Sequence, residues 1–251
     1  MSHPCPVCLG EAELLDVVDL NKSCEEARGR HLNLSGVPIY YALCKDCGFC
    51  FAPQMCEWPR EKFSALIYNE SYVLVDPDYI LERPQANAEY LLQLLGSSAR
   101  GVRHLDFGGG QGLLSDLLRD SGWDSSSFDP FVDEQVEPAT LGKFDLITAF
   151  EVFEHVPDVR HLVSELRRLI ADNGVLLFST LLSDGEIAPM KRLTWWYASP
   201  RNGHISLHSQ RSLTRLVSDS GFALHSFTPN LHVCWRTAPA WAHFLPKQGS
   251  V

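Results

Sequence analysis

The sequence has no long apolar run, no sustained basic stretch and no internal repeat, and each absence excludes something. A bilayer-crossing helix needs about 20 consecutive apolar residues; nothing here approaches that, so no membrane span is expected. Met1-Ser2-His3-Pro4-Cys5 has neither the basic start nor the apolar core of a secretion leader, which gives a cytoplasmic location as the expectation. Lys and Arg number 21 against 31 Asp and Glu, a formal charge of -10. The cations gather only as Arg167-Arg168 and Lys191-Arg192. A polyanion such as RNA is repelled on average by such a chain, so a small-molecule partner is expected over nucleic acid. Without repeats or low-complexity segments the chain is not a solenoid or a disordered linker. Nothing in the sequence sets an oligomeric state.

At 251 residues and 45% hydrophobic, the chain suffices for one ordinary α/β domain with a small appendage. Three zones follow in chain order: 1–60, rich in cysteine; 61–100, a linker or lid followed by a helix; and 101–251, where strand and helix patterns alternate. Pro84 suits a helix first turn, and Tyr90, Leu91, Leu94 and Leu95 recur at helical spacing up to Gly96. Val102–Phe107 reads as a strand entering a glycine-rich turn, with a helix on Leu113, Leu114, Leu117 and Leu118 closed by Gly122. Ser126–Asp129 and Phe144–Phe150 read as further strands. Asp158 can cap a helix whose apolar face is Leu162, Val163, Leu166, Leu169 and Ile170. Asn173-Gly174 reads as a turn into a strand over Val175–Thr180. Ser209 starts a last helix ending at Gly221, followed by strands near Phe222–Phe227 and His232–Trp235. Such alternation predicts a mostly parallel sheet flanked by helices.

Two Cys-x-x-Cys pairs, Cys5/Cys8 and Cys44/Cys47, carry the second signal. Two intervening residues let both sulfurs reach one tetrahedral ion, and four thiolates make a closed, structural zinc site. Buried free thiols, or disulfides in an oxidising compartment, are the alternatives. Cys50 and Cys56 lie near enough to compete as ligands; Cys24 and Cys234 read as small apolar residues.

The third signal is Asp106-Phe107-Gly108-Gly109-Gly110-Gln111-Gly112. Glycines at alternating positions admit positive φ and let a ligand lie against the backbone. A nicotinamide dinucleotide site needs Gly-x-Gly-x-x-Gly; here the third glycine comes one position earlier, and an acid precedes the first. Asp106-x-Gly108-x-Gly110-x-Gly112 resembles the first motif of class I S-adenosylmethionine-dependent methyltransferases. The resemblance implies a Rossmann-like methyltransferase fold in which the turn holds the methionine part of the cofactor. It also implies an acid after the second strand for the ribose hydroxyls, a place that Asp129 fills; alone, Asp129-Pro130 reads as a turn opener.

Phe144 through Asp158 resembles the fourth-strand motif of the branch containing ubiquinone-type O-methyltransferases and sugar C-methyltransferases, which sets Phe150 and Glu151 against the cofactor. Asn173–Thr180 is similar to the fifth strand of that branch. The cysteine module resembles the zinc-binding domain attached to some sugar C-methyltransferases. The stretch from Phe131 to Lys143 is too short for the usual helix, third strand and adenine-contacting loop.

In-line methyl transfer depends on positioning, and a hydroxyl or carbon acid also needs a base. His155, with Glu154 to orient it, and His204, in the aromatic segment Trp195–Ser206, are the candidates; a backbone-bonded or core histidine is the alternative for each. Arg201 in that segment can hold a phosphate or carboxylate. Ile67–Tyr72 and Glu82–Pro84 form a candidate lid, with Tyr72 over the cofactor and Arg83 on its carboxylate. The expected function is methyl transfer from S-adenosylmethionine to a small acceptor, a sugar or nucleotide-sugar hydroxyl or carbon. RNA base methylation and a catalytically silent cofactor-binding scaffold are the rivals.

Overall fold

The computed structural model describes Ser2–Pro246. Met1 and residues 247–251, the extremes of the chain-order division, lie outside the described residues. The chain forms two compact units: Met1–Pro77 with Phe153–Leu162 and Leu181–Leu216, and Asp78–Val152 with Val163–Thr180 and Val217–Val251. These units do not follow chain order, so neither coincides with a zone ending at 60 or 100.

In the first unit, β1 (Ser2–Pro4), β2 (Glu11–Asp19), β3 (Pro38–Cys44), β4 (Cys50–Phe51) and β9 (Ser206–Leu207) form one antiparallel sheet in the order β1-β2-β3-β4-β9. Two short helices follow β4, α1 (Pro53–Cys56) and α2 (Arg60–Leu66). The apolar side chains Tyr41, Met55, Phe63, Ile67, Trp195 and Leu207 are buried together. Burying them supplies the unit's main driving force, about 25 cal/mol per Å² of apolar area removed from water.

In the second unit, β5 (Arg103–Phe107), β6 (Asp124–Phe128), β7 (Phe144–Phe150), β8 (Ile170–Ser179), β10 (Ala223–Ser226) and β11 (Leu231–Trp235) form a sheet ordered β10-β11-β8-β7-β5-β6. The pairs among β5 to β8 are parallel, and the β8–β11 and β11–β10 pairs are antiparallel. The helices α3 (Glu82–Leu95) and α4 (Leu113–Asp120) bring Leu91, Leu95, Leu114 and Leu118 into one core with Leu146, Val175, Leu177 and Val233 of the sheet. Leu114 and Leu118 stand four apart, so they share one helix face. This is the α/β, mostly parallel, helix-flanked architecture expected from the alternation of elements.

Helices α5 (Val159–Leu169) and α6 (Gln210–Ser218) start where the sequence places their caps. The Asp158 carboxylate accepts the His161 N–H at 2.9 Å, and the Ser209 hydroxyl accepts the Ser212 N–H at 3.1 Å. One detail differs from expectation and one follows it. Asn173-Gly174 lies inside β8: Phe144 pairs with Ile170 and Leu146 with Val175, so the turn signal becomes a bulge in a longer strand. Between β6 and β7 the chain makes only a 3₁₀ turn over Pro138–Thr140, leaving β6 at the sheet edge. No helix among the described residues is long and apolar enough to cross a membrane.

Candidate functional site

The glycine turn sits where β5 ends and α4 begins. Gly108 has φ +78°, and a Cβ there would stand 2.5 Å from Val152 Cγ2, so both conformation and space require glycine. Gly110 has φ +55° with nothing within 4 Å of its would-be Cβ. That combination leaves an open backbone surface against which a ligand can lie. Gly112, at φ +82°, caps α4.

Two carboxylates flank the turn. Asp129, just past β6, accepts the Gly110 N–H on Oδ2 at 3.0 Å and the Phe131 N–H on Oδ1 at 2.8 Å. It therefore opens a turn, as its sequence context alone suggests, and clamps the glycine loop at once. Asp106 is buried and accepts the Thr148 hydroxyl at 2.8 Å. Burial, aided by the Asp129 charge and opposed by the Thr148 hydrogen bond, pushes the Asp106 carboxyl up to about 7.

Behind Asp106 runs a polar chain that sequence reasoning missed. Thr148 gives its only proton to Asp106, so it must accept from Nε2 of His104 at 3.0 Å; Nδ1 of His104 then accepts from Ser125 at 2.7 Å. Burial holds that imidazole neutral, its pKa lowered to about 3. Pairing of β5 with β6 and β7 creates this chain, and no local motif announces it.

At the ends of β7 and β8 the same unit opens a cavity of about 380 Å³. Phe150, Glu151 and Arg83, all expected at the cofactor, line it; so do Asn87, Ser179 and Asn230, which the sequence did not mark. Glu151 is a non-glycine residue at φ +54°. Its N–H donates to Ser179 Oγ at 2.8 Å, and that hydroxyl donates back to Glu151 Oε1 at 2.9 Å. A left-handed residue locked by two hydrogen bonds is the kind of strain that clusters at functional sites.

The first unit contains two further groups of site residues. Cys5, Cys8, Cys44 and Cys47 bring their sulfurs within 4.8 Å of one another, with Cys5–Cys47 at 3.6 Å and Cys8–Cys44 at 3.4 Å. Sulfurs on one tetrahedral zinc stand about 3.8 Å apart, so the set fits. Each pair occupies a hairpin turn, β1–β2 and β3–β4, and each turn is pinned by backbone hydrogen bonds, Cys5 N–H to Gly10 and Gly48 N–H to Cys44. Cys50 is buried in the apolar cluster, and Cys56 packs against it, outside the group of four.

Glu154, His155 and His204 form the other group, their ligand-type atoms also within 4.8 Å of one another. Phe153–His155 forms a short 3₁₀ helix. Tyr197 ties the group together: its hydroxyl donates to Glu154 Oε1 at 2.5 Å and its carbonyl accepts from His204 Nδ1 at 2.8 Å. Tyr68 hydroxyl lies 3.1 Å from His155 Nδ1. His204 is 5% exposed, whereas His155 is half-buried.

Two expectations change, those for Arg201 and Tyr72. Arg201 is not available to an anion: its guanidinium donates to the Ile67 carbonyl at 2.9 Å and to Ser71 Oγ at 2.9 Å, pinning that loop. Ile67–Tyr72 belongs to the first unit and Glu82–Pro84 to the second. Tyr72 is buried in the first unit's core, its ring 5.3 Å from Tyr68 and its hydroxyl 3.3 Å from the Asn202 carbonyl, so that core accounts for its burial.

Residues 79–226, more than half of the chain, match the family described as a methyltransferase domain. The chain is 29% identical to a ubiquinone biosynthesis O-methyltransferase of Bordetella avium, a match covering 36% of this chain and 47% of that one. It is 28% identical to the Methylococcus capsulatus protein of the same description, over 42% and 55% of the two chains. The chain thus spans about half the length of these curated relatives. Human N-acetylserotonin methyltransferase, solved in complex with SAM, shares the fold at a TM-score of 0.53 and 17% identity, over 72% of this chain and 61% of that one.

Proposed function

This chain belongs to the methyltransferase domain family, and from that premise we propose that it transfers a methyl group from S-adenosylmethionine to a hydroxyl or carbon of a small, sugar-like acceptor. The observation that carries the reading is the open, left-handed backbone at Gly110 clamped by Asp129. In this reading the glycine turn and Asp106 receive the methionine part, and Asp129 receives the ribose hydroxyls. Bound there, the cofactor supplies an electrophilic methyl carbon.

The chain's own residues supply the rest. His155, the more exposed imidazole, takes the acceptor proton. Glu154, fixed by the Tyr197 hydroxyl, and His204, fixed by the Tyr197 carbonyl, are positioning groups around it. The four cysteines hold a structural Zn²⁺ that joins two hairpins and has no part in the chemistry. The net charge of -10 favours a small acceptor over RNA.

Calorimetry with S-adenosylhomocysteine tests the cofactor reading. Binding is expected to weaken by about 1–3 kcal/mol in Asp129→Ala, the cost of lost charged hydrogen bonds. No heat from the wild-type protein, with a nicotinamide dinucleotide binding instead, would overturn it.

A further inference from the structure

We infer that the cysteine module is a positioning device for the Glu154–His155–His204 group: its two turns are gripped by Arg160 and Ser209, which belong to the two chain segments that carry the imidazoles. The inference rests on the zinc and base readings above and goes beyond them. It gives the metal site a role in aligning the histidines while leaving the ion outside the chemistry.

Every residue involved lies in the first unit. Arg160, at the start of α5, donates from Nε to the Pro6 carbonyl at 2.9 Å and from Nη2 to the Val7 carbonyl. Pro6 and Val7 are the two residues between Cys5 and Cys8. At the other turn, the Ser209 hydroxyl donates to the Cys47 carbonyl at 2.6 Å, and Arg211 donates to the Lys45 carbonyl at 2.9 Å. The approach there is close: a Cβ on Gly48 would stand 2.8 Å from Ser209 Oγ. A metal held by both cysteine pairs fixes the two turns, and each turn offers carbonyl oxygens to a donor from the start of a helix.

The offset from grip to imidazole is the same on both sides: His155 precedes Arg160 by five residues, and His204 precedes Ser209 by five. The two segments are also bonded to each other. The Ile205 N–H donates to the Glu154 carbonyl at 2.9 Å, and the Ser206 hydroxyl donates to the Val156 carbonyl at 2.8 Å. The His208 ring lies 4.9 Å from Phe49, beside the second turn, and 6.1 Å from Phe153, beside Glu154. Within this framework the His155 and His204 rings stand 4.8 Å apart. Any donor would satisfy the turn carbonyls. What ties the module to the site is that the donors come from the two segments bearing the imidazoles. Displacing a reacting group by about 1 Å costs on the order of 10²-fold in rate, so a frame closed by metal–sulfur bonds has a physical purpose here.

The test exchanges zinc for cadmium in the full wild-type chain labelled at histidine and follows the imidazole ring signals by NMR. Cadmium is larger and its longer bonds to sulfur spread both turns, while exchange rather than removal keeps the site filled. His155→Gln and His204→Gln assign the two signals. Both are expected to move with cadmium, and the nuclear Overhauser contact between the two rings to weaken. The signals of His104 and His232, buried in the second unit, should stay in place. Arg160→Met keeps the stem and removes the donors; with zinc still bound it should move the His155 signal, and Arg160→Lys should restore part of the change. If Arg160→Met does not fold, the metal exchange, which alters no residue, decides alone. Movement of His208 without the other two would mean that the effect stops at Phe49, and overturns the inference. So does a cadmium-loaded chain, or a folded Arg160→Met chain, in which both imidazoles keep their zinc-state signals. Absence of metal from the purified chain would overturn the zinc reading and this inference with it, and is seen by metal analysis before any exchange.

Discussion

The two units differ in how their sites are written into the chain. In the second, the glycine turn, Asp106 and Asp129 fall within two dozen residues, because one strand–turn–helix and the next strand suffice to assemble them. In the first, Tyr68, Glu154, Tyr197 and His204 come from three separate segments and meet through long-range contacts, among them the pairing of β9 with β4 and the Ile205 N–H bonded to the Glu154 carbonyl. A local site leaves a motif; a site built by long-range pairing leaves only residue types without a pattern. The cysteine module is intermediate, since each hairpin is local but the two pairs are far apart.

The largest expected effect breaks this contrast at the cysteines. Structural zinc contributes about 10 kcal/mol or more in small metal-dependent domains. Chelation, or Cys5→Ser with Cys47→Ser, is therefore expected to lower the melting temperature sharply and erase the near-ultraviolet signal of Trp58, Trp195 and Tyr197, which share the first unit's core. Metal analysis should find one zinc per chain. An unchanged melt after complete chelation would make the four cysteines plain buried thiols.

How much could be foreseen divides along the same line. The caps at Asp158 and Ser209, the strand Phe144–Phe150 and the glycine turn follow from local rules, and the structure has each of them. The Asn173-Gly174 signal is a true local signal overridden by strand pairing, which extends β8 back to Ile170. Arg201 looked like an anion binder because its partners, the Ile67 carbonyl and Ser71, are more than a hundred residues away in sequence. The interleaving of segments 153–162 and 181–216 into the first unit has no local signature at all.

A medium effect separates chemistry from cofactor binding. With an acceptor in hand, His155→Gln is expected to lower kcat by about 10²–10⁴-fold, the usual worth of a positioned base. Cofactor affinity should stay as it is, since in the proposed reading the glycine turn, Asp106 and Asp129 hold the cofactor and His155 acts on the acceptor. Tyr68 and His204 would still flank the substituted side chain. A decrease of less than about tenfold would reduce the Glu154–His155–His204 group to a packing network.

The smallest effect sharpens the second unit's side of the comparison, because it depends on a polar chain that no motif reveals. Asp106 titrates at about 7, raised first by burial and further by Asp129. The sign follows from the charge of the ligand. Below that pH the free protein holds Asp106 neutral, and a cationic S-adenosylmethionine must expel the proton to meet a carboxylate. Affinity should therefore rise with pH up to about 7 and level off above it, by no more than about tenfold per pH unit. Asp106→Asn should flatten the slope. Thr148→Val should steepen the low-pH loss, because removing the hydroxyl bonded at 2.8 Å raises the carboxyl pKa further. Equal affinity at about pH 5.5 and pH 7.5 in the wild-type protein would mean that Asp106 keeps one protonation state throughout; the buried Ser125–His104–Thr148 chain would then serve only to join three strands.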